Sequence, residues 1–113
     1  MKRTIEISEE TYEAIKDQLS DGEKLEINSY EDFIGHSFFF RTLTYHWIGT
    51  VVKKVGNFFQ LEDASCIFDS GRFMNAIKEG KLNEVEPVGT AFVNIDSCTD
   101  LIPWNHFNPR EQK

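Results

Sequence analysis

Two arginines occupy positions where their charge could hold an anion. Arg41 lies on a predicted strand among apolar residues, and Arg72 lies in the first turn of a predicted helix. A guanidinium on an apolar face requires an anionic partner, and the helix dipole disfavours a cation in the first turn unless an anion binds there. Each arginine therefore predicts either a ligand phosphate or an internal salt bridge, which for Arg72 would be to Asp69 or Asp63.

Five further side chains are candidates for contacting a ligand. Phe73 could stack on a base or serve as a core anchor. Asn94 and Asp96 lie two apart on a predicted strand, where they could read hydroxyls or base edges, or form a strand-end turn. Trp104 and Arg110 belong to an irregular, aromatic-rich C-terminal tail, which predicts a tail packed over its own core or across a partner subunit.

The familiar catalytic and metal-binding arrangements are missing from the sequence. Asp69-Ser70-Gly71 matches the three-residue signature of aspartic proteases, but no supporting motif follows, and helix capping by Asp69 or Ser70 explains it better. The three histidines stand apart, and Cys66 lies in an apolar stretch typical of an inert buried thiol. The sequence therefore predicts no enzyme, no metal and no cofactor.

Composition limits the class of protein. The chain has 113 residues, with 12 Lys+Arg against 19 Asp+Glu and a net charge of −7, and 40% of its residues are hydrophobic. This length and apolar content predict one folded domain. The acidic surplus argues against binding to DNA, RNA or an anionic membrane. Two isolated cysteines and a polar N-terminus predict reduced thiols in a cytosol.

The elements that would position these residues are mostly strands. The expected strands cover residues 4–7, 24–27, 38–45, 47–55, 58–61, 64–68 and 90–95, with Gly56-Asn57 as a hairpin turn and helices over residues 8–22 and 71–79. Strand alternation would place Phe39, Arg41, Leu43, Tyr45 and Trp47 on one face. The predicted fold class is α+β: a single domain with a curved antiparallel sheet or small barrel and two short helices.

Four segments resemble a family of small phage and prophage proteins. They are Arg41-Thr-Leu-Thr-Tyr with Gly49, Leu61-Glu-Asp-Ala with Phe68-Asp-Ser-Gly-Arg-Phe, Leu82-Asn-Glu-Val-Glu-Pro, and Pro109-Arg-Glu-Gln-Lys. The similarity covers residues 34–113, and residues 1–33 form a more variable strand–helix segment. The family is taken to include the Thoeris anti-defence sponges, which sequester cyclic ADP-ribose isomers and cyclic oligonucleotides made by bacterial immune enzymes.

This resemblance implies a non-enzymatic homo-oligomer, a dimer or larger and possibly a hexamer, that binds a cyclic nucleotide without degrading it. It implies a ligand clasped by Arg41, Arg72, Phe73, Trp104 and Arg110, with Asn94 and Asp96 as secondary candidates. The alternative is a phage inhibitor that binds a host defence protein directly, in the manner of an acidic anti-CRISPR. Neither interpretation includes DNA, RNA or a membrane as a partner.

Overall fold

Five antiparallel strands form one sheet in the computed structural model, which describes residues 25–113. The strands are β1 (Ser37–Thr42), β2 (His46–Val55), β3 (Phe58–Asp69), β4 (Glu84–Asn94) and β5 (Cys98–Pro103). Their spatial order is β4-β3-β2-β1-β5, so β1 to β4 form a meander and β5 returns to lie beside β1. The predicted α+β class with a curved antiparallel sheet is confirmed. The strand and helix predicted within residues 4–22 lie outside the described residues. The strand predicted at residues 24–27 is wrong, because residues 25–27 belong to no strand.

Within residues 25–113, the α-helix α1 (Phe73–Glu79) connects β3 to β4, and 3-10 turns lie at Tyr30–Phe33 and Ile95–Ser97. The helix begins two residues later than predicted, with Arg72 at its N-cap and no side-chain capping bond. Asp69 does not cap the helix; its Oδ1 accepts from the N–H of Gly71, 2.9 Å away, and closes the turn before it. The helix ends at Gly80, whose φ of 73° is the left-handed conformation that favours glycine.

The sheet bends sharply where β3 carries an extra residue. Ile48 pairs with Ser65 and Thr50 with Glu62, so two residues of β3 lie opposite Gly49. Asp63 has a φ of 56°, as expected at a bulge. A Cβ at position 49 would lie 2.9 Å from the Cβ of Leu61, so only glycine allows the two strands to approach this closely.

Apolar side chains are buried on both faces of the sheet, which explains the run of three phenylalanines in β1. One cluster contains Phe38, Phe40, Val51, Phe59, Leu61, Ala64 and Val93. The other contains Phe39, Ile48, Ile67, Ala76, Leu82, Val85 and Trp104. Trp47 packs against the first cluster and Phe39 belongs to the second, so the prediction that they share a face is wrong. The reason is that β1 ends at Thr42, and the turn before His46 interrupts the alternation.

Residues 104–113, called the C-terminal strap below, cross the face that carries Phe39. Trp104 is 4% exposed, and a His106 ring nitrogen lies 2.8 Å from the carbonyl oxygen of Ile77. Asn108 donates from Nδ2 to the hydroxyl of Thr50 and to the carbonyl of Asp63. The predicted irregular tail therefore packs over its own sheet. Among residues 25–113 the α-helix has seven residues, far short of the ~20 that a membrane-spanning helix needs.

Candidate functional site

The seven residues singled out from the sequence lie in separate parts of the molecule. Arg41 and Phe73 share a shallow cavity of about 540 Å³. Asn94 and Asp96 line a second cavity, of about 600 Å³, on the other side of the β1–β2 turn. The remaining three, Arg72, Trp104 and Arg110, line neither of these two cavities. The structure therefore brings the predicted residues together only as two pairs.

Arg41 has an anionic partner within the protein. Its Nε lies 3.2 Å from Oδ1 of Asp100, the residue it pairs with across β1 and β5. The guanidinium carbon also lies 4.6 Å from the ring centroid of Phe73, an attractive cation–π distance. Phe73 in turn packs edge-on against Phe39, with ring centroids 5.8 Å apart. The structure thus contains the internal salt bridge, one of the two partners expected for Arg41.

His46 borders the same cavity and is held in its neutral form. The backbone N–H of Thr42 donates to its Nδ1 over 3.3 Å, which requires an unprotonated acceptor nitrogen. Burial lowers the pKa of His46, and the positive charge of Arg41 lowers it further, against an opposing effect of Asp100. A neutral imidazole beside a neutralised arginine leaves little net positive charge for holding a phosphate.

Arg110 and Arg72 differ in their surroundings. Arg110 donates from Nε and Nη2 to the carboxylate of Asp63, with N···O distances of 2.8 to 3.2 Å, and this bidentate pairing raises the pKa of Arg110. Arg72 is exposed at the start of α1, and its two expected partners are engaged elsewhere, Asp63 by Arg110 and Asp69 by Gly71. The arginines therefore do not converge on a common anion.

Asn94 and Asp96 belong to a polar cluster that joins two loops. Asn57, in the β2–β3 turn, donates from Nδ2 to Oδ2 of Asp96 over 2.5 Å and to Oδ1 of Asn94 over 3.4 Å. Oδ1 of Asn94 also accepts from the N–H of Asp96, 2.8 Å away. The oxygen of Asn94 is thus occupied within the cluster, so its amide NH₂ group is the part that can serve a ligand.

The cavity beside this cluster is lined by aromatic rings as well as polar groups. Trp47, Phe58 and Phe92 border it together with Asn94 and Asp96. Phe92 is 54% exposed and Phe58 is 40% exposed, which is unusual for large apolar side chains. Phe58 is the cross-strand partner of Asn94, so a ring and an amide lie side by side at one end of the sheet.

Sequence reasoning missed Asn57, Phe58, Phe92 and Trp47 as site residues. Asn57 was assigned only to a hairpin turn. The available signal was the pair of asparagines at strand ends, because a meander brings alternate turns to the same end of a sheet. Nothing local indicates that positions 57 and 96 meet.

The chemistry of this cavity suits an uncharged, flat, hydrogen-bonding ligand. Apolar rings can stack on such a ligand, an amide can donate to it, and a carboxylate can accept from it. No Lys or Arg side chain lines the cavity among residues 25–113, so it offers no cation for a phosphate. Those described residues also contain no group of three metal-ligating side chains.

Comparisons with solved structures identify Sm proteins as similar. The SmAP1 heptamer of P. aerophilum matches with a TM-score of 0.44 and 20% identity, and the match covers 65% of this chain and 84% of that one. A heptameric archaeal Sm protein matches with a TM-score of 0.44 and 20% identity, and the match covers 65% of this chain and 91% of that one. The Pyrococcus abyssii Sm protein in complex with a uridine heptamer matches with a TM-score of 0.45 and 12% identity, and the match covers 65% of this chain and 89% of that one. No protein-family model and no curated protein matches the chain.

These findings overturn the identification made from the sequence. The similar structures are Sm proteins rather than phage anti-defence proteins, so the assignment to the Thoeris sponge family is wrong. The cyclic-nucleotide function, the alternative of a host-protein inhibitor, the cyclic-nucleotide partner and the exclusion of RNA are wrong with it. The physical error was to treat Arg41 and Arg110 as free to clasp phosphates, whereas Asp100 and Asp63 bind them.

Proposed function

We propose that this chain is a non-catalytic binding protein for single-stranded RNA, and that it holds bases in the cavity between the β1–β2 turn and the β4–β5 turn. The observation that carries the proposal is the combination in one cavity of exposed aromatic rings with the Asn94 amide and the Asp96 carboxylate.

Stacking is the first contribution to binding. An unpaired base can lie against Phe92 or Phe58, and stacking on an aromatic ring contributes about 1–3 kcal/mol per base. Bases within a duplex are stacked on each other and cannot enter such a cavity. The exposed rings therefore favour a single strand.

Hydrogen bonding to the base edge is the second contribution. The NH₂ group of Asn94 can donate to a base carbonyl, and the carboxylate of Asp96 can accept from a neighbouring ring N–H. Uracil and guanine carry that carbonyl and N–H side by side. Asn57 contacts both residues and acts as a positioning residue that holds the two loops together.

A carboxylate at the site favours ribose over deoxyribose. Asp96 repels phosphates but accepts a hydrogen bond from a 2′-hydroxyl, the group that distinguishes RNA from DNA. The hydroxyls of Thr44 and Ser97 also border the cavity. These groups bind sugars and bases while leaving the RNA backbone in water.

We also propose that the chain associates with further copies of itself through the two edge strands, β4 and β5. Edge strands carry unpaired backbone groups that another strand can satisfy. Pairing of β4 of one copy with β5 of the next copy is a head-to-tail contact. Such contacts close into a ring when the rotation between neighbouring copies permits it. A ring would place several copies of the cavity side by side along one RNA strand.

The cytosol is the proposed location of the protein, and the two free thiols, Cys66 and Cys98, support it.

Fluorescence anisotropy of a labelled uridine heptamer tests the proposal. Phe92→Ala should weaken binding by about 5- to 100-fold through loss of stacking. Asn94→Ser keeps a short acceptor for the N–H of Asp96 and removes the amide donor, so it should weaken binding by up to about tenfold. A deoxyuridine heptamer should bind less tightly than the RNA.

Asn75→Ala is the matched control, because Asn75 is an exposed asparagine on α1. It should bind the heptamer as the unaltered protein does. Equal affinity of all four proteins for the RNA, or no binding by any of them, would contradict the proposed function.

A further inference from the structure

β4 is an edge strand among the described strands, and Lys113 pairs with its outer edge at one point. The N–H of Val85 donates to the carbonyl of Lys113 over 3.3 Å, and the N–H of Lys113 donates to the carbonyl of Val85 over 3.0 Å. The N–H and C=O of one strand residue point to the same side. Both groups of Val85 therefore point away from its β3 partner, Ile67, and Lys113 lies on the outer edge of the sheet.

The C-terminal strap is fastened on its way to this edge. Arg110 forms its bidentate pair with Asp63, the bulge residue of β3. The hydroxyl of Ser65 donates to the carbonyl of Pro109 over 3.2 Å. Nζ of Lys113 donates to the carbonyl of Leu82 over 2.9 Å. The strap thus connects the bend of the sheet to the start of β4.

The two halves of β4 differ in their protection against pairing. The first half contains Glu84, Glu86 and Pro87, and charges and proline are the residues that discourage strand addition at an edge. The second half, residues 90–94, contains no charged side chain, and its Phe92 is exposed. Within residues 25–113, no backbone hydrogen bond outside the sheet is made by positions 90–94.

A strand of matching length lies at the opposite edge of the same sheet. β5 has six residues, Cys98–Pro103, and borders only β1 among the described strands. The uncharged half of β4 has five residues. β5 of a second copy therefore has the length to pair with residues 90–94 of β4 without extending over residues 84–87.

We propose that Arg110 to Lys113 act as a stop on the β4 edge, which confines pairing with β5 of a second copy to residues 90–94. This inference rests on the proposed association through sheet edges. It adds that the strap sets the extent of the contact, and thereby gives the assembly one defined size. Releasing the strap opens residues 84–87 and allows shifted pairings.

The test combines hydrogen exchange with sedimentation velocity on the full chain. Arg110→Ala removes the clasp on Asp63, and Lys113→Pro removes the N–H that binds Val85. Lys113→Ala is the matched control, since it keeps that N–H while losing Nζ. We expect the Val85 amide to exchange at least about tenfold faster in the Arg110→Ala/Lys113→Pro double variant, and its assemblies to become larger or mixed in size. Lys113→Pro alone should show the same changes to a smaller degree.

The outcomes separate this proposal from the proposed function. Unchanged exchange at Val85, or faster exchange with an unchanged assembly size, overturns the stop. If the unaltered protein and the double variant both remain monomers at all concentrations, the stop and the edge association are both wrong. Uridine heptamer binding then tests the RNA proposal separately. A monomeric unaltered protein with an assembling variant would also contradict the proposal, because the strap would then block pairing altogether and would not confine it to residues 90–94.

Discussion

Several polar side chains on this sheet already form a hydrogen bond or salt bridge within the protein, and this contact determines what each one does. His46 shows the principle: its Nδ1 accepts from the N–H of Thr42, and burial together with Arg41 lowers its pKa. A side chain of this kind stabilises the fold only while it is neutral. It therefore makes stability depend on pH.

The sign of that dependence follows from the direction of the pKa shift. The ordinary pKa of histidine is 6.5, and the folded value lies below it. Above pH 6.5 the stabilising effect is fully present, and as pH falls below 6.5 the unfolded chain binds the proton first, so stability decreases until the folded pKa is passed. We expect the unaltered protein to lose more stability between pH 8 and pH 5.5 than His46→Asn, whose amide oxygen can still accept from Thr42.

Urea denaturation across that pH range measures the effect. His36→Asn is the matched control, because it makes the same substitution at an exposed histidine that does not line the Arg41 cavity. An equal loss of stability in the unaltered protein and in His46→Asn would show that His46 does not control it.

The bend of the sheet is the element on which the site depends. Gly49 allows β2 and β3 to approach, and the bulge at Asp63 also anchors the strap. A Cβ at position 49 would lie 2.9 Å from the Cβ of Leu61 and 3.1 Å from that of Ala64, atoms attached directly to the backbone. Gly49→Ala should therefore lower the free energy of unfolding by about 1–3 kcal/mol.

Gly56→Asn is the matched control for this prediction, measured by the same denaturation. Nothing lies within 4 Å of a Cβ at Gly56, and asparagine tolerates its φ of 59°. The control should stay close to the unaltered protein. A Gly49→Ala protein of unchanged stability would mean that the two strands do not approach as closely as described.

The sequence predicted the elements that carry strong local signals and missed those that depend on distant partners. β1, β2 and the Gly56-Asn57 hairpin follow from alternation and turn chemistry. β5 was missed because a six-residue strand with Asp100 and a terminal proline has a weak local pattern, and the first half of β4 was missed because its glutamates are unusual in strands. The Asn57–Asp96 contact joins residues 39 positions apart, which no local pattern encodes.

The protein as a whole is acidic, whereas the proposed ligand, RNA, is itself negatively charged. The net charge is −7, and proteins that grip RNA through its phosphates are basic and release counterions on binding. An acidic protein that binds bases through stacking and hydrogen bonds should release few. We expect affinity for a uridine heptamer to fall less than about threefold between 50 and 200 mM salt, since this corresponds to about one phosphate contact or fewer.

The same anisotropy titration at several salt concentrations checks this expectation. Lys54→Ala is an informative companion, because Lys54 lies beside the β2–β3 turn with Nζ 2.6 Å from the carbonyl of Gly56. It should change the slope by no more than the single contact it could make. A loss of about a hundredfold or more in the unaltered protein would indicate several phosphate contacts and a binding surface outside the cavity.

An NMR titration of the labelled protein with uridine heptamer tests whether RNA bases bind in the cavity bordered by Phe92, Asn94 and Asp96. We expect the side-chain amide signals of Asn94 and the backbone signals of Phe92 and Asp96 to shift with increasing RNA. Signals near Arg41 and Phe73 should remain in place. Shifts confined to the Arg41 cavity, or no shifts at saturating RNA, would contradict binding of bases in this cavity.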